Sequence, residues 1–145
     1  MTDAEKKRML EQYRQTPQAI KHLRALIQEL ESEAERITAT ISTDGGGGFA
    51  VDTAKLQRCV ERLDDAKMRL LAEEAELAER KSLILAAIAA LSNEWERAVL
   101  YGHYIQGRSY RALCFMLHYG EAQIFRFARA GIKNIIFDLD KDDSS

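Results

Sequence analysis

Six positions spaced seven residues apart carry Leu56, Leu63, Leu70, Leu77, Ile84 and Leu91. An α-helix turns once in about 3.6 residues, so a repeat of seven returns each side chain to nearly the same face. Such a stripe needs a partner helix, and the same chain holds a candidate. Ile20, Leu23, Ile27, Leu30, Ala34, Ile37 and Ile41 alternate steps of three and four. That spacing predicts a coiled-coil seam sustained for about three heptads. Glu29, Glu31, Glu33, Glu35 and Arg36 lie mostly off the seam and read as a solvated face. In the second stretch the companion position is mixed: Val60, Lys67, Glu74, Lys81 and Ile88. Leu71, Ala78 and Leu85 widen the stripe on the adjacent side, a drift expected of a helix that packs on one partner and then another.

The two seams are joined by residues 42–52, which contain four consecutive glycines, Gly45 to Gly48. A Gly-rich loop can cradle phosphate, but the P-loop form needs a following Lys and Ser or Thr, and here Phe49-Ala50-Val51 follows. A flexible connection between helices fits better. Asp52 is a good N-cap for a second helix running from Thr53 to about Ala90. At about 1.5 Å per residue that helix is roughly 55 Å long and the first seam roughly 37 Å. The two do not match end to end. The surplus, Leu83 to Leu91, therefore calls for cover by the C-terminal residues, by another subunit, or by both. Ahead of the first seam, Asp3 to Arg14 reads as a charged helix with Met9, Leu10 and Tyr13 on one side, interrupted at Thr16-Pro17.

One proline in 145 residues and almost no strand-like run point to an all-α fold. The length suits one domain, or one small domain with an extended partner element. Cys59 and Cys114 are too few for a disulfide scaffold and lack metal-ligand spacing, so both read as small buried hydrophobes. The most apolar stretch, Ser82 to Leu91, is too short to span a bilayer, and no secretory signal is visible. Those features together point to a reducing cytoplasm, with no membrane partner.

From Leu91 onward three short helical patterns follow with tight breaks. Leu91, Trp95, Val99 and Leu100 share one face of the first, which Gly107 ends. Ser109 is placed to cap the next, whose inner face is Tyr110, Leu113, Cys114 and Leu117. His118-Tyr119-Gly120 is a turn. Ile124, Phe127 and Ala128 face inward on the third, with Arg126, Arg129 and Lys133 outside. A short helix, a three-residue turn and a basic helix are what a helix-turn-helix requires. The net charge of −2 hides this distribution. Between Arg108 and Lys133 lie five basic residues and one acid, Glu121, whereas the tail from Asp138 holds four aspartates and one lysine.

This stretch resembles region 4 of the sigma-70 family. The resemblance rests on the opening Leu91, Ser92, Glu94, Val99 and Leu100, on Tyr104 and Gly107, on the run Ser109-Tyr110, Leu113-Cys114 and Leu117, and on Ile124 with the spaced arginines. Two positions depart from the pattern. Cys114 stands where the family usually has Ala, and His118 where the turn usually has a Gly suited to positive φ. With its long helices the whole chain looks like small phage-encoded sigma-like regulators, the ArpU/RinA-like late-gene activators. That resemblance implies promoter DNA binding and contact with bacterial RNA polymerase, in the cytoplasm of a host cell.

On this reading the helix from Glu121 to about Asp138 enters the major groove. Glu121 and Gln123 lie at its start, Gln123 can pair with adenine and Arg126 with guanine, and Arg129 and Lys133 suit phosphate. Arg108 and Arg111 flank the supporting helix and could hold the DNA backbone. The expected domains are a helical hairpin over 1–91, the helix-turn-helix over 92–137, and an acidic tail over 138–145. The hairpin offers a route to a homo-oligomer.

No catalytic constellation stands out, so no enzyme activity, cofactor or metal is expected. His22, His103 and His118 lack partners at metal spacing, and Cys114 with His118 makes only two ligands. Asp64-Asp65 and Glu73-Glu74 read as surface acids. Asp138, Asp140, Asp142 and Asp143 lack the Gly and distal Glu of a cation loop. Two other classes compete: the DNA-recognition subunit of a packaging machine, of the small-terminase kind, and a coiled-coil adapter that binds protein alone.

Overall fold

The structure, a computed structural model, describes residues 1–43 and 49–138, with side chains for 1–40 and 53–138. Every regular element among them is helical, as expected of an all-α chain. α1 spans Asp3–Thr43 and α2 Phe49–Ala89. α3 spans Glu94–Leu100 and runs on into a π-helical turn, Tyr101–Ile105. α4 spans Tyr110–Leu117 and α5 Glu121–Asn134. No helix among the described residues is long and apolar enough to cross a membrane.

Pro17 does not interrupt α1, contrary to the sequence expectation: it lies inside the helix. The Thr16 hydroxyl donates back to the Gln12 carbonyl at 2.8 Å, a bond made within the helix. A proline in a helix interior costs about 3 kcal/mol, since it has no N–H to give and its ring crowds the preceding turn. Burial on both sides outweighs that cost. Leu10 and Tyr13 before it, and Ile20, Ile27 and Leu30 after it, are all buried, at about 1.5–3 kcal/mol for each large side chain. Consequently α1 and α2 are each 41 residues long, and the mismatch in length expected from the sequence does not arise.

The break between them is shorter than 42–52: α1 reaches Thr43 and α2 begins at Phe49, which puts Asp52 inside a helix rather than at its cap. The glycine run itself, with the expectation that it binds nothing, lies outside the described residues.

The chain divides into two compact units, Pro17–Glu76 and Met1–Thr16 together with Leu77 onward. The first-mentioned unit is built from two antiparallel helical segments. Arg24 pairs with Glu74 at 2.8 Å and Lys67 with Glu31 at 3.6 Å. These exposed ion pairs contribute little, and the apolar layer between the segments does the holding. Ile27, Leu30, Cys59, Leu63 and Ala66 are buried there, with Ala34, Ile37 and Leu70 beside them. Within this unit the companion position on α2 is thus Cys59 and Ala66, three residues after Leu56 and Leu63, and not Val60 and Lys67, four residues after. Val60 is 40% exposed and Leu71 68% exposed. Small side chains at the true position let the backbones approach, and the Cys59 thiol donates to the Leu30 carbonyl at 3.4 Å.

The other unit has two adjoining cores. Leu10 and Tyr13 of α1, Ile84, Ala87, Ile88 and Leu91, Leu100 and Tyr104, and Ile132 and Ile135 form one. Val99, Leu113, Ile124 and Ala128 form the other, with Tyr110, Cys114, Leu117, Tyr119 and Phe127 against them. The apolar end of α2 is therefore covered from within the chain, by the start of α1 and by the C-terminal residues. Residue 91 falls inside one compact unit, in which the first 16 residues are grouped with the residues from Leu77 onward.

Candidate nucleic-acid interface

α3 starts at Glu94, not at Leu91, because Asn93 caps it: its side-chain oxygen accepts from the N–H groups of Trp95 at 2.8 Å and Glu96 at 3.2 Å. Glu96, only 6% exposed, accepts from the Asn134 side-chain amide at 2.7 Å and so ties α3 to the end of α5. The two helices meet where α5 carries Gly131. A Cβ there would lie 2.9 Å from a Leu100 methyl. Gly102 has the same role toward α4, since a Cβ would lie 2.5 Å from a Leu113 methyl.

α4 begins as the sequence predicts, with the Ser109 hydroxyl accepting from the Ala112 N–H at 3.1 Å. It ends at His118, which adopts φ 61°, ψ 41°. The departure from Gly at this position is therefore a real cost, since a left-handed conformation is uncommon for a residue with a Cβ. Trp95 closes over the turn that follows. Its ring meets Tyr119 edge-on at 5.1 Å and stacks with Phe127 at 6.2 Å. α5 ends at Asn134 rather than near Asp138, because Ile135 leaves helical geometry with ψ 140° and turns fully buried into the core.

Burial and helical spacing place the seven candidate residues. Arg126, Arg129 and Lys133 are exposed and lie three and four residues apart, on the face of α5 opposite buried Ile124, Ala128 and Ile132. Gln123 is half-buried and accepts from Arg126 Nη1 at 3.5 Å. Glu121 is exposed in the first turn of α5. Arg111 is exposed on α4. Arg108, in the loop before α4, donates to the Gln106 side-chain oxygen at 3.0 Å. Among the described residues no carboxylate forms an ion pair with Arg126, Arg129 or Lys133. Cys114 and His118 do not share a helix face, because α4 stops at Leu117.

α1 supplies groups that sequence reasoning missed. Arg14 donates to the carbonyls of His103 at 3.1 Å and Gly107 at 3.4 Å, holding the chain that leads into α4. The Glu11 carboxylate accepts from the Tyr104 hydroxyl at 3.4 Å. Lys6 Nζ donates to the Lys133 carbonyl at 3.0 Å. Asp3, Lys7 and Glu11 line a cavity of about 330 Å³ with Tyr110, Phe125 and Arg129. The one signal in the sequence was the apolar trio Met9, Leu10 and Tyr13, which shows that the helix is docked but not on what.

Beneath this surface lies a small aromatic and titratable cluster. His103 is 6% exposed, bonds through Nδ1 to the Arg108 carbonyl at 2.7 Å, and stacks on Tyr110 at 3.8 Å. Burial lowers its pKa below the usual 6.5, and the bond to Arg108 opposes that shift. Burial also raises the phenols of Tyr104 and Tyr110, so both stay neutral hydrogen-bonding groups.

No protein-family model, curated protein or solved structure matches this chain.

Proposed function

We propose that the chain is a sequence-specific DNA-binding transcription regulator, built as a helical hairpin joined to a sigma-70 region 4-like helix-turn-helix. α4 is the supporting helix and α5 the helix that enters the major groove. The observation that carries this reading is the outer face of α5: Arg126, Arg129 and Lys133 in one row with no carboxylate partner among the described residues. Unpaired cations along one helix face fit a phosphate backbone, which supplies most of the affinity of such proteins. Gln123 and Arg126, near the N-terminal end, suit base edges, while Arg129 and Lys133 suit phosphate. Glu121 can accept from the amino group of cytosine. Arg111, and Arg108 ahead of α4, suit the flanking backbone.

The resemblance of Leu91 to Ile135 to sigma-like activators adds the promoter context and a contact with bacterial RNA polymerase. The test is selection of bound genomic fragments, followed by transcription with purified polymerase on the selected templates. Recovery of one sequence class, and a change in transcript level from it, is the expected result. Absence of salt-dependent DNA affinity overturns the reading in favour of a protein-binding adapter.

A further inference from the structure

The first two turns of α1 meet the C-terminal half of α5, more than a hundred residues away in sequence. We infer that Lys6 and Lys7 form part of the DNA-contacting surface, binding the phosphate backbone beside Arg129 and Lys133. This deepens the DNA-binding reading above and rests on it.

Lys6 is anchored by its bond to the Lys133 carbonyl in the last turn of α5, where exposed carbonyl ends favour a cation. An ammonium group has three donors, so two remain for an anion. Lys7 is exposed and lines the same cavity as Arg129. Among the described residues, none of these four cations is in an ion pair with a carboxylate. Like charges held together without partners repel each other, and a bound polyanion relieves that repulsion.

Two acids also line the cavity, and each has another role. Glu11 receives the Tyr104 hydroxyl, and Asp3 sits in the first turn of α1, where a carboxylate complements the helix dipole. Within the cavity lining these two acids balance Lys7 and Arg129, and Lys6, Arg126 and Lys133 are cations outside that lining. Duplex DNA presents one negative charge per about 1.7 Å of its axis, so cations carried on α5 and on the start of α1 can each find a phosphate.

The experiment titrates the full chain onto one fluorescent duplex between about 50 and about 200 mM NaCl, where the slope of log affinity on log salt counts phosphate contacts. Lys7→Ala should flatten that slope by about one unit and weaken binding to every duplex alike. Lys21→Ala, an exposed lysine farther along α1, should leave it unchanged. Asp3→Asn should tighten binding at low salt, an effect that a purely structural role for this segment does not produce. Lys6→Ala should behave as Lys7→Ala does, and is read with its melting curve because it also loses the bond to Lys133. A wild-type slope for Lys7→Ala overturns the inference and leaves the regulator reading intact. A wild-type protein without salt-dependent DNA binding overturns both.

Discussion

His118 closes α4 in a left-handed conformation that a glycine would adopt without strain. The left-handed helical region costs an L-residue about 1–2 kcal/mol, and glycine returns about 0.5–1 kcal/mol of that as unfolded-state entropy. His118→Gly should therefore stabilise the protein by about 0.5–1 kcal/mol, seen as a higher melting temperature. His103 sets a pH dependence. Its folded pKa is depressed below 6.5 by burial, with Arg14 opposing its charge and Glu11 favouring it. A depressed pKa means that the unfolded chain takes up the proton first. The stability His103 contributes is thus present above pH 6.5 and is lost as pH falls through the lower folded value. Urea midpoints should drop between about pH 7 and pH 5, and His103→Gln should reduce that drop. A Gln variant with the wild-type pH profile would show that other groups dominate.

At the scale of the element, the helices carry two further expectations. Pro17→Ala restores a backbone donor inside α1 and should stabilise the chain by about 1–3 kcal/mol. Leu30→Asp places a charge at a position only 3% exposed and should cost on the order of 3–5 kcal/mol. Unchanged melting in the second variant would mean that the seam of Ile27, Leu30 and Leu63 does not hold the unit together. These residues also mark what the sequence could tell. The sevenfold leucines, the Ser109 cap and the left-handed turn at His118 were legible, because each rests on local geometry. The path through Pro17 was not, since local cost is overruled by burial on both sides. The companion position Cys59 and Ala66 was missed because small residues carry little hydrophobic signal even where they allow the closest approach. The end of α5 was misjudged because Ile135 reads as one more apolar helical residue, when its burial comes from leaving the helix.

At the scale of the whole molecule, the start of α1 and α5 contribute to the one surface proposed to meet DNA, so mutations should sort by the kind of DNA contact and not by position in sequence. Arg126 lies three residues after Gln123 near the start of α5, the end that a major-groove helix presents to base edges. Arg126→Ala should weaken the preferred site by about 1–3 kcal/mol and relax sequence preference at one position. Lys133 lies in the last turn, where its backbone carbonyl accepts from Lys6. Lys133→Ala keeps that carbonyl, so it should weaken all sequences alike and lower the salt slope by about one unit. Binding assays on preferred and scrambled duplexes, with circular dichroism on each variant, separate the two effects from loss of fold, which would abolish both kinds of binding together. If both variants stay folded and bind genomic fragments as the wild type does, α5 is not the DNA-reading helix. Its unpaired row of cations would then have to meet another polyanion or an acidic protein surface.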